Sequence, residues 1–417
     1  MDFTLDQGET RPSSPGRLMD FYLQTCADMK KERNPYIEEV TRQTDHLPPG
    51  TMYGGFTLTL NGNTRLFPNH KLTDDDIAVL VHVLHRNTYI TGVNLQYNNL
   101  TNCAAEMIGK LLLESSSITD LNLMCNDIGS HGAKWLSKAL QFNRSVKNLR
   151  MNGNKIGNTG GMHFATMLQL NRTLESLDLG DCDLETQSLI ALATVLHHNK
   201  TLRAIDVGRP IIHTIQQICD KLVLNHSLRL LDLHCNQISS DGAKSLAELL
   251  KRNTPLKILD LAANRIEDDG LVFISDALRY RNDQLLALSV ARNNISGIGL
   301  MALANALKSN NTLTNVYVWG NNFDESASID FANLIKAGRL KPKRTDISPY
   351  WIDGRVYLSE LAHGLQMYYY WTPLYGDRDE AACNANTYLL KEPNTSISQI
   401  DIEESIDTSS FEGDQPF

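Results

Sequence analysis

The chain has 417 residues, 42% of them hydrophobic and 21% charged, a composition that supports a sizeable core and excludes a fully disordered polypeptide. Its net charge of −9 sits at one end: residues 377–417 hold ten acids and two bases, so the rest of the chain is close to neutral. A near-neutral body lacks the basic footprint of a nucleic-acid binder, and no apolar run reaches the roughly 18 residues that a membrane-spanning helix needs. Seven scattered cysteines without a CxxC pair exclude a zinc ribbon and lead us to expect reduced thiols. Met1-Asp2-Phe3-Thr4 is not a basic segment followed by an apolar run, so no signal peptide is expected.

In chain order, residues 1–50 read as an N-terminal helical cap and linker. Within them 17–45 are helical, with Leu18, Phe21, Tyr22, Cys26 and Met29 on one side. Pro35 splits this stretch into two helices, and Pro48-Pro49-Gly50 marks a linker. Residues 51–335 then repeat one pattern, LxxLxLxxN, about ten times. The clearest copies are Leu121-Asn122-Leu123, Leu149-Arg150-Met151 and Leu259-Asp260-Leu261. The positions closing each copy are Asn63, Asn98, Asn126, Asn154, Cys182, Pro210, Asn236, Asn264, Asn293 and Asn321, at intervals of 35, 28, 28, 28, 28, 26, 28, 29 and 28.

Each unit has two halves. The LxL portion is a short strand with period-2 burial. The stretch behind it, such as Gly132 to Leu140, carries apolar residues at helical spacing. Strand and helix alternating at constant period predict a parallel sheet with right-handed crossovers. Helices are wider than strands, so the stack curves with the sheet on its concave side and the helices on its convex side.

The closing asparagines have a structural task. A buried backbone group left without a partner costs about 1–3 kcal/mol, and an amide side chain can both donate and accept between neighbouring turns. Cys182 serves tolerably there, as a small residue with a weak S–H donor. Pro210 does not, and the interval after it is two residues short, so a local break in the ladder is expected. A second set of asparagines (Asn143, Asn171, Asn199, Asn225, Asn253) marks the turns, and N-x-[ST] sequons at several of them, and at Asn310, follow from the repeat itself. Asn310 reads as an exposed turn residue. Residues 336–376 break the period and are rich in Tyr and Trp, and we expect an aromatic cap over the last repeat. Residues 377–417 read as an acidic disordered tail.

The 28-residue unit with a full helix resembles the ribonuclease-inhibitor-like family of leucine-rich repeats, which implies an α/β horseshoe-shaped solenoid. A narrower likeness, to one vertebrate family within that class, rests on Tyr317-Val318-Trp319-Gly320-Asn321, on Asp353-Gly354-Arg355-Val356-Tyr357-Leu358 with Tyr369-Tyr370-Trp371, and on Gly180-Asp181-Cys182-Asp183-Leu184. That likeness implies a non-catalytic protein of nucleus, nucleolus and cytoplasm, linked to stem-cell pluripotency and germ cells. The same class also contains a GTPase-activating protein of the Ran type and a ciliary regulatory subunit. GTPase activation and a structural place in the axoneme of a cilium or flagellum therefore stand as alternatives.

Catalytic patterns are missing from the sequence: no GxxxxGK[ST] phosphate loop, no HExxH zinc site and no GxSxG elbow. His197-His198 are adjacent on a helix end and face apart, so they do not share a metal. The expectation is a protein without enzymatic activity, cofactor, metal or small-molecule substrate. One pattern does carry chemistry. The residue between the two leucines points into the concave face, and along the repeats these are Asn94, Asn122, Arg150, Asp178, Asp206, Asp232, Asp260, Ser289 and Tyr317. Four consecutive aspartates on strands about 4.8 Å apart repel one another. They are either satisfied by local hydrogen bonds or form an acidic stripe that selects a basic segment of a protein partner. Arg150, His234, Tyr317 and Trp319 complete the candidate surface, the last two either as aromatic anchors or as residues lying under the C-terminal cap.

Overall fold

In the computed structural model, residues 18–46, 55–64, 67, 70–85, 87–209 and 215–361 are described. Two helices open the fold, α1 (Leu18–Met29) and α2 (Pro35–Asp45). Proline needs no N–H partner at a first helical position, so Pro35 starts α2, and the Asn34 side chain accepts from Tyr36 N at 3.0 Å. The two helices cap each other: the Asp45 carboxylate accepts from Leu18 N and Met19 N, both at 2.9 Å, and the Tyr22 hydroxyl accepts from Asn34 N at 2.8 Å. Pro48-Pro49-Gly50 lies outside the described residues.

Ten parallel strands follow in sequence order: β1 (Phe56–Thr59), β2 (Ile90–Asn94), β3 (Asp120–Asn122), β4 (Asn148–Arg150), β5 (Ser176–Asp178), β6 (Ala204–Asp206), β7 (Leu230–Asp232), β8 (Ile258–Asp260), β9 (Ala287–Ser289) and β10 (Asn315–Tyr317). Each is followed by a helix: α3 (Asp74–Leu84), α4 (Asn102–Glu114), α5 (Ser130–Phe142), α6 (Gly157–Leu170), α7 (Thr186–Leu196), α8 (Ile215–Leu222), α9 (Ser240–Lys251), α10 (Glu267–Tyr280), α11 (Gly297–Ser309) and α12 (Glu325–Lys336). This is the leucine-rich-repeat horseshoe. The core runs between sheet and helices, where the middle strand residue and the second residue after it point inward, as Leu149 with Met151 and Leu259 with Leu261 do. Helix residues such as Leu136, Leu140, Leu246 and Leu250 close it from the convex side.

A chain of amide hydrogen bonds runs beside the strand ends. Asn98 Nδ2 donates to Leu60 O at 2.8 Å in the preceding repeat, and its Oδ1 accepts from Leu72 N at 2.8 Å. Asn126, Asn154, Asn264, Asn293 and Asn321 bridge in the same way, Asn154 between Leu123 O (2.8 Å) and Ile128 N (3.0 Å). Cys182 keeps the donor bond, with Sγ 3.1 Å from Met151 O, and also takes a backbone hydrogen bond from Asn154, while burial holds its thiol well above the ordinary range. Asn63 is exposed. It follows β1, the edge strand, and no repeat precedes β1 among the described residues whose carbonyl it could bridge. Pro210 lies outside the described residues. Past it, Asn236 donates to Val207 O at 3.3 Å, while its buried Oδ1 has no hydrogen-bond partner among the described residues.

The turn asparagines form a second buried row, and here the expectation for Asn310 is corrected. It is 6% exposed, and its Nδ2 donates to Leu278 O (2.8 Å) and Asn282 O (2.9 Å) while Oδ1 accepts from Thr312 N and Leu313 N. Asn143, Asn171, Asn199 and Asn225 do the same toward Leu112, Leu140, Leu168 and Leu196. Stacking places each turn on the one before, so a residue that a lone turn would expose is covered. Asn253 is the exception: it is exposed at φ +54° and pairs with Asp283.

At the far end an antiparallel hairpin, β11 (Ile347–Ile352) with β12 (Arg355–Glu360), packs on α12. Ahead of it Thr345 forms a parallel bridge to Val316, and the buried Asp346 carboxylate accepts from Val318 N (2.9 Å) and Trp319 N (3.0 Å). The Arg339 guanidinium closes the second row, bonding Leu307 O (2.9 Å), Asn310 O and Leu313 O (2.8 Å). Residues 362–376, with Tyr368–Trp371, and the tail 377–417 lie outside the described residues.

Candidate functional site

The concave-face candidates sit on consecutive strands in perfect register. Asp178 pairs with Asp206, Asp206 with Asp232 and Asp232 with Asp260, while Arg150 stands beside Asp178 and Ser289 beside Asp260. Each Asp occupies the last strand position, where the following backbone turns away from the ladder. One oxygen of each therefore accepts the N–H two residues on: Gly180 (3.1 Å), Gly208 (2.8 Å), His234 (2.9 Å) and Ala262 (2.7 Å). Asn122 and Asn94 make the same bond to Met124 and Gln96. This local role explains why short acids or amides recur at the position. It uses one oxygen of each carboxylate, and Asp260 also bonds the Ser289 hydroxyl.

His234 is the counter-charge within the row. Its Nδ1 donates to Asp232 Oδ1 at 2.8 Å, and the pair is largely buried. Burial alone would lower the imidazole pKa. The charge and hydrogen bond of Asp232, with Asp206 and Asp260 nearby, outweigh it and push it up to about 11. Gly208 makes room for the ring, since a Cβ there would lie 2.2 Å from His234 Cε1. Burial also raises the carboxyls, Asp178 to about 6, Asp260 to about 7, and Asp206 well above its usual range with Asp232 and Asp178 adding repulsion. Asp206, Asp232 and His234 each hold a ligand-type atom within 4.8 Å of the others. His234 Nδ1 and one oxygen of each Asp are already engaged in the bonds above, which is the geometry of an ion pair set into a strand end.

Access differs along the surface. Asp178 and Asp206 are half-buried, while Arg150, Asp232 and Asp260 are buried. Tyr317 is 3% exposed and packs in an apolar row with Ala204, Leu230, Ile258 and Ala287, the first residues of their strands. It is a packed residue in this structure, as the covered alternative expects. Trp319 is half-buried against the core, its backbone N–H held by Asp346. Sequence reasoning missed the apolar row because it followed only the residue between the leucines. Period-2 alternation puts the residue two before it on the same face, and that signal was present.

Comparison with known proteins matches the repeat itself. The family described as Leucine Rich repeat aligns with residues 114–137, 142–165, 170–193, 224–247, 252–275 and 282–304. Among curated proteins, leucine-rich repeat-containing protein 34 of Rattus norvegicus is 52% identical over 69 residues, 16% of this chain and 17% of the relative. The protein of the same name from Mus musculus is 46% identical over 83 residues, 20% of each chain. The matched part thus spans about a fifth or less of these relatives. Among solved structures, an internalin from Listeria monocytogenes aligns at 16% identity and TM-score 0.34, covering 80% of this chain and 98% of its own. Six stretches of the chain thus match the Leucine Rich repeat, and over part of its length the chain is similar to the proteins named leucine-rich repeat-containing protein 34.

Proposed function

We propose that the chain is a non-catalytic scaffold that binds a protein partner on its concave face, with the Asp178–Asp206–Asp232–Asp260 row selecting a basic segment. The observation that carries this reading is the register: four carboxylates stand side by side on β5 to β8, each closing its own strand end through one oxygen. Asp178 and Asp206, the more open pair, make the first contact. Likeness to the relatives named above suggests a setting in nucleus, nucleolus and cytoplasm and a link to pluripotency and germ cells.

The test compares wild type with Asp206→Asn plus Asp232→Asn. Partners are captured from nuclear and cytoplasmic extracts, and the strongest is titrated at two ionic strengths. Charge complementarity acts mainly on association rate and salt sensitivity, so the variant should bind more weakly and lose salt dependence while keeping its fold. Normal binding with an earlier melt would make the aspartates purely structural. Stimulation of GTP hydrolysis by a Ran-type GTPase would replace the reading with a regulator of that enzyme.

A further inference from the structure

The edge of the horseshoe where helices end and strands begin carries a pattern separate from the concave face. Leu113, Phe142, Leu170 and Leu224 stand at the C-terminal ends of α4, α5, α6 and just past α8, and they are 54%, 69%, 58% and 49% exposed. Helices α4, α5 and α6 pack side by side, at the usual spacing of about 8–10 Å, so the first three side chains form one ridge. The His197–His198 pair just past α7, with ring centroids 4.3 Å apart and tilted by 59°, continues it toward Leu224. Two residues after each of three ridge positions comes an exposed cation: Arg144, Arg172 and Lys200.

Part of this has a local cause. Arg144 Nη1 bonds Gln141 O and Asn143 O, and Arg172 Nη1 bonds Leu168 O and Asn171 O, so both guanidiniums cover helix-end carbonyls. That does not account for the apolar ridge, nor for cations that have no acidic partner among the described residues. Contiguous exposed apolar side chains rimmed by charge are the mark of an interaction surface.

We propose that this rim is a docking surface whose occupant is a segment of the same chain, residues 397–412. In that segment Ile400, Ile402, Ile406 and Phe411 alternate with Asp401, Glu403, Glu404 and Asp407, the complement of an apolar ridge edged by Arg and Lys. Its reach is sufficient: residues 362–396 span about 120 Å when extended, whereas α6 lies six helix spacings of about 8–10 Å from α12. The contact joins apolar burial to charge attraction, which makes it selective and salt-sensitive.

The experiment places p-benzoylphenylalanine at Ile402 in the full chain, irradiates it, and maps the cross-links by mass spectrometry. Cross-links within one chain to residues 113–117, 141–145 and 169–173 are expected, falling severalfold between low and high salt in the otherwise unaltered chain. Arg144→Glu with Arg172→Glu should cut the yield at least tenfold, and Asp401→Lys with Glu403→Lys should restore it in that background. Cross-links to the concave strands, to a second copy, or scattered without preference would overturn the proposal. So would a yield indifferent to salt.

Discussion

A buried asparagine can satisfy donors and acceptors on both sides of its amide, and two residues here do so at opposite ends of the repeat. Asn154 joins strand ends, and Asn310 joins turns. Each replacement by alanine strands several buried backbone groups, so Asn154→Ala and Asn310→Ala should each cost about 1–3 kcal/mol in urea denaturation. A loss at Asn310 within the roughly 0.5 kcal/mol of a surface change would contradict its buried role. The sequence spelled out both rows by spacing alone, yet it ranked them wrongly. Asn-Asn-Thr in a turn reads as solvent-facing until neighbouring turns stack on it. Asn63 has the right spacing but no preceding strand among the described residues to serve.

At the scale of the strand, what a side chain faces is set by period-2 alternation, and what it neighbours is set by register. Both were legible for the four aspartates. The way Gly208 admits the His234 ring was not, because close approach between repeats leaves no periodic trace. The row has a thermodynamic signature. Asp260 is raised by burial first and by Asp232 next, against the lowering effect of His234, the Ala262 N–H and the Ser289 hydroxyl, to about 7. A carboxyl whose folded pKa exceeds its unfolded one contributes stability below the unfolded value and loses it as pH rises through the folded value. For Asp260 that window runs from about pH 4 to about pH 7. Replacement by Asn removes the titration, so the melting temperature of Asp260→Asn relative to wild type should rise as pH goes from about 4 to about 8. A constant difference across that range would show that Asp260 titrates as an ordinary carboxylate.

Across the whole molecule, ten repeats could be counted from the chain because each copy rewrites the same instructions. The ends could not be read this way, since a cap occurs once. Asp45 closes α1, while Arg339 and Asp346 take over at the last repeat the bonds that further repeats would have supplied. Their roles follow from three-dimensional position, and no spacing announces them.

The Oδ1 of Asn236, without a hydrogen-bond partner among the described residues, bears on how the array comes apart. In a solenoid each repeat touches only its neighbours, so stability is a sum of unit and interface contributions, and cooperativity is only as continuous as its weakest interface. The join after β6 is two residues short, its closing position is Pro210, which has no N–H to give, and among the described residues the Asn236 side chain keeps only its donor bond. The stack should therefore melt as two blocks that part at this seam. Native-state hydrogen exchange should sort the amides of β2–β5 and of β7–β10 into two classes with separate opening energies. A single class would mean that the seam transmits as well as any other join. Pro210→Asn, combined with two residues inserted after it to restore the 28-residue interval, should merge the classes into one.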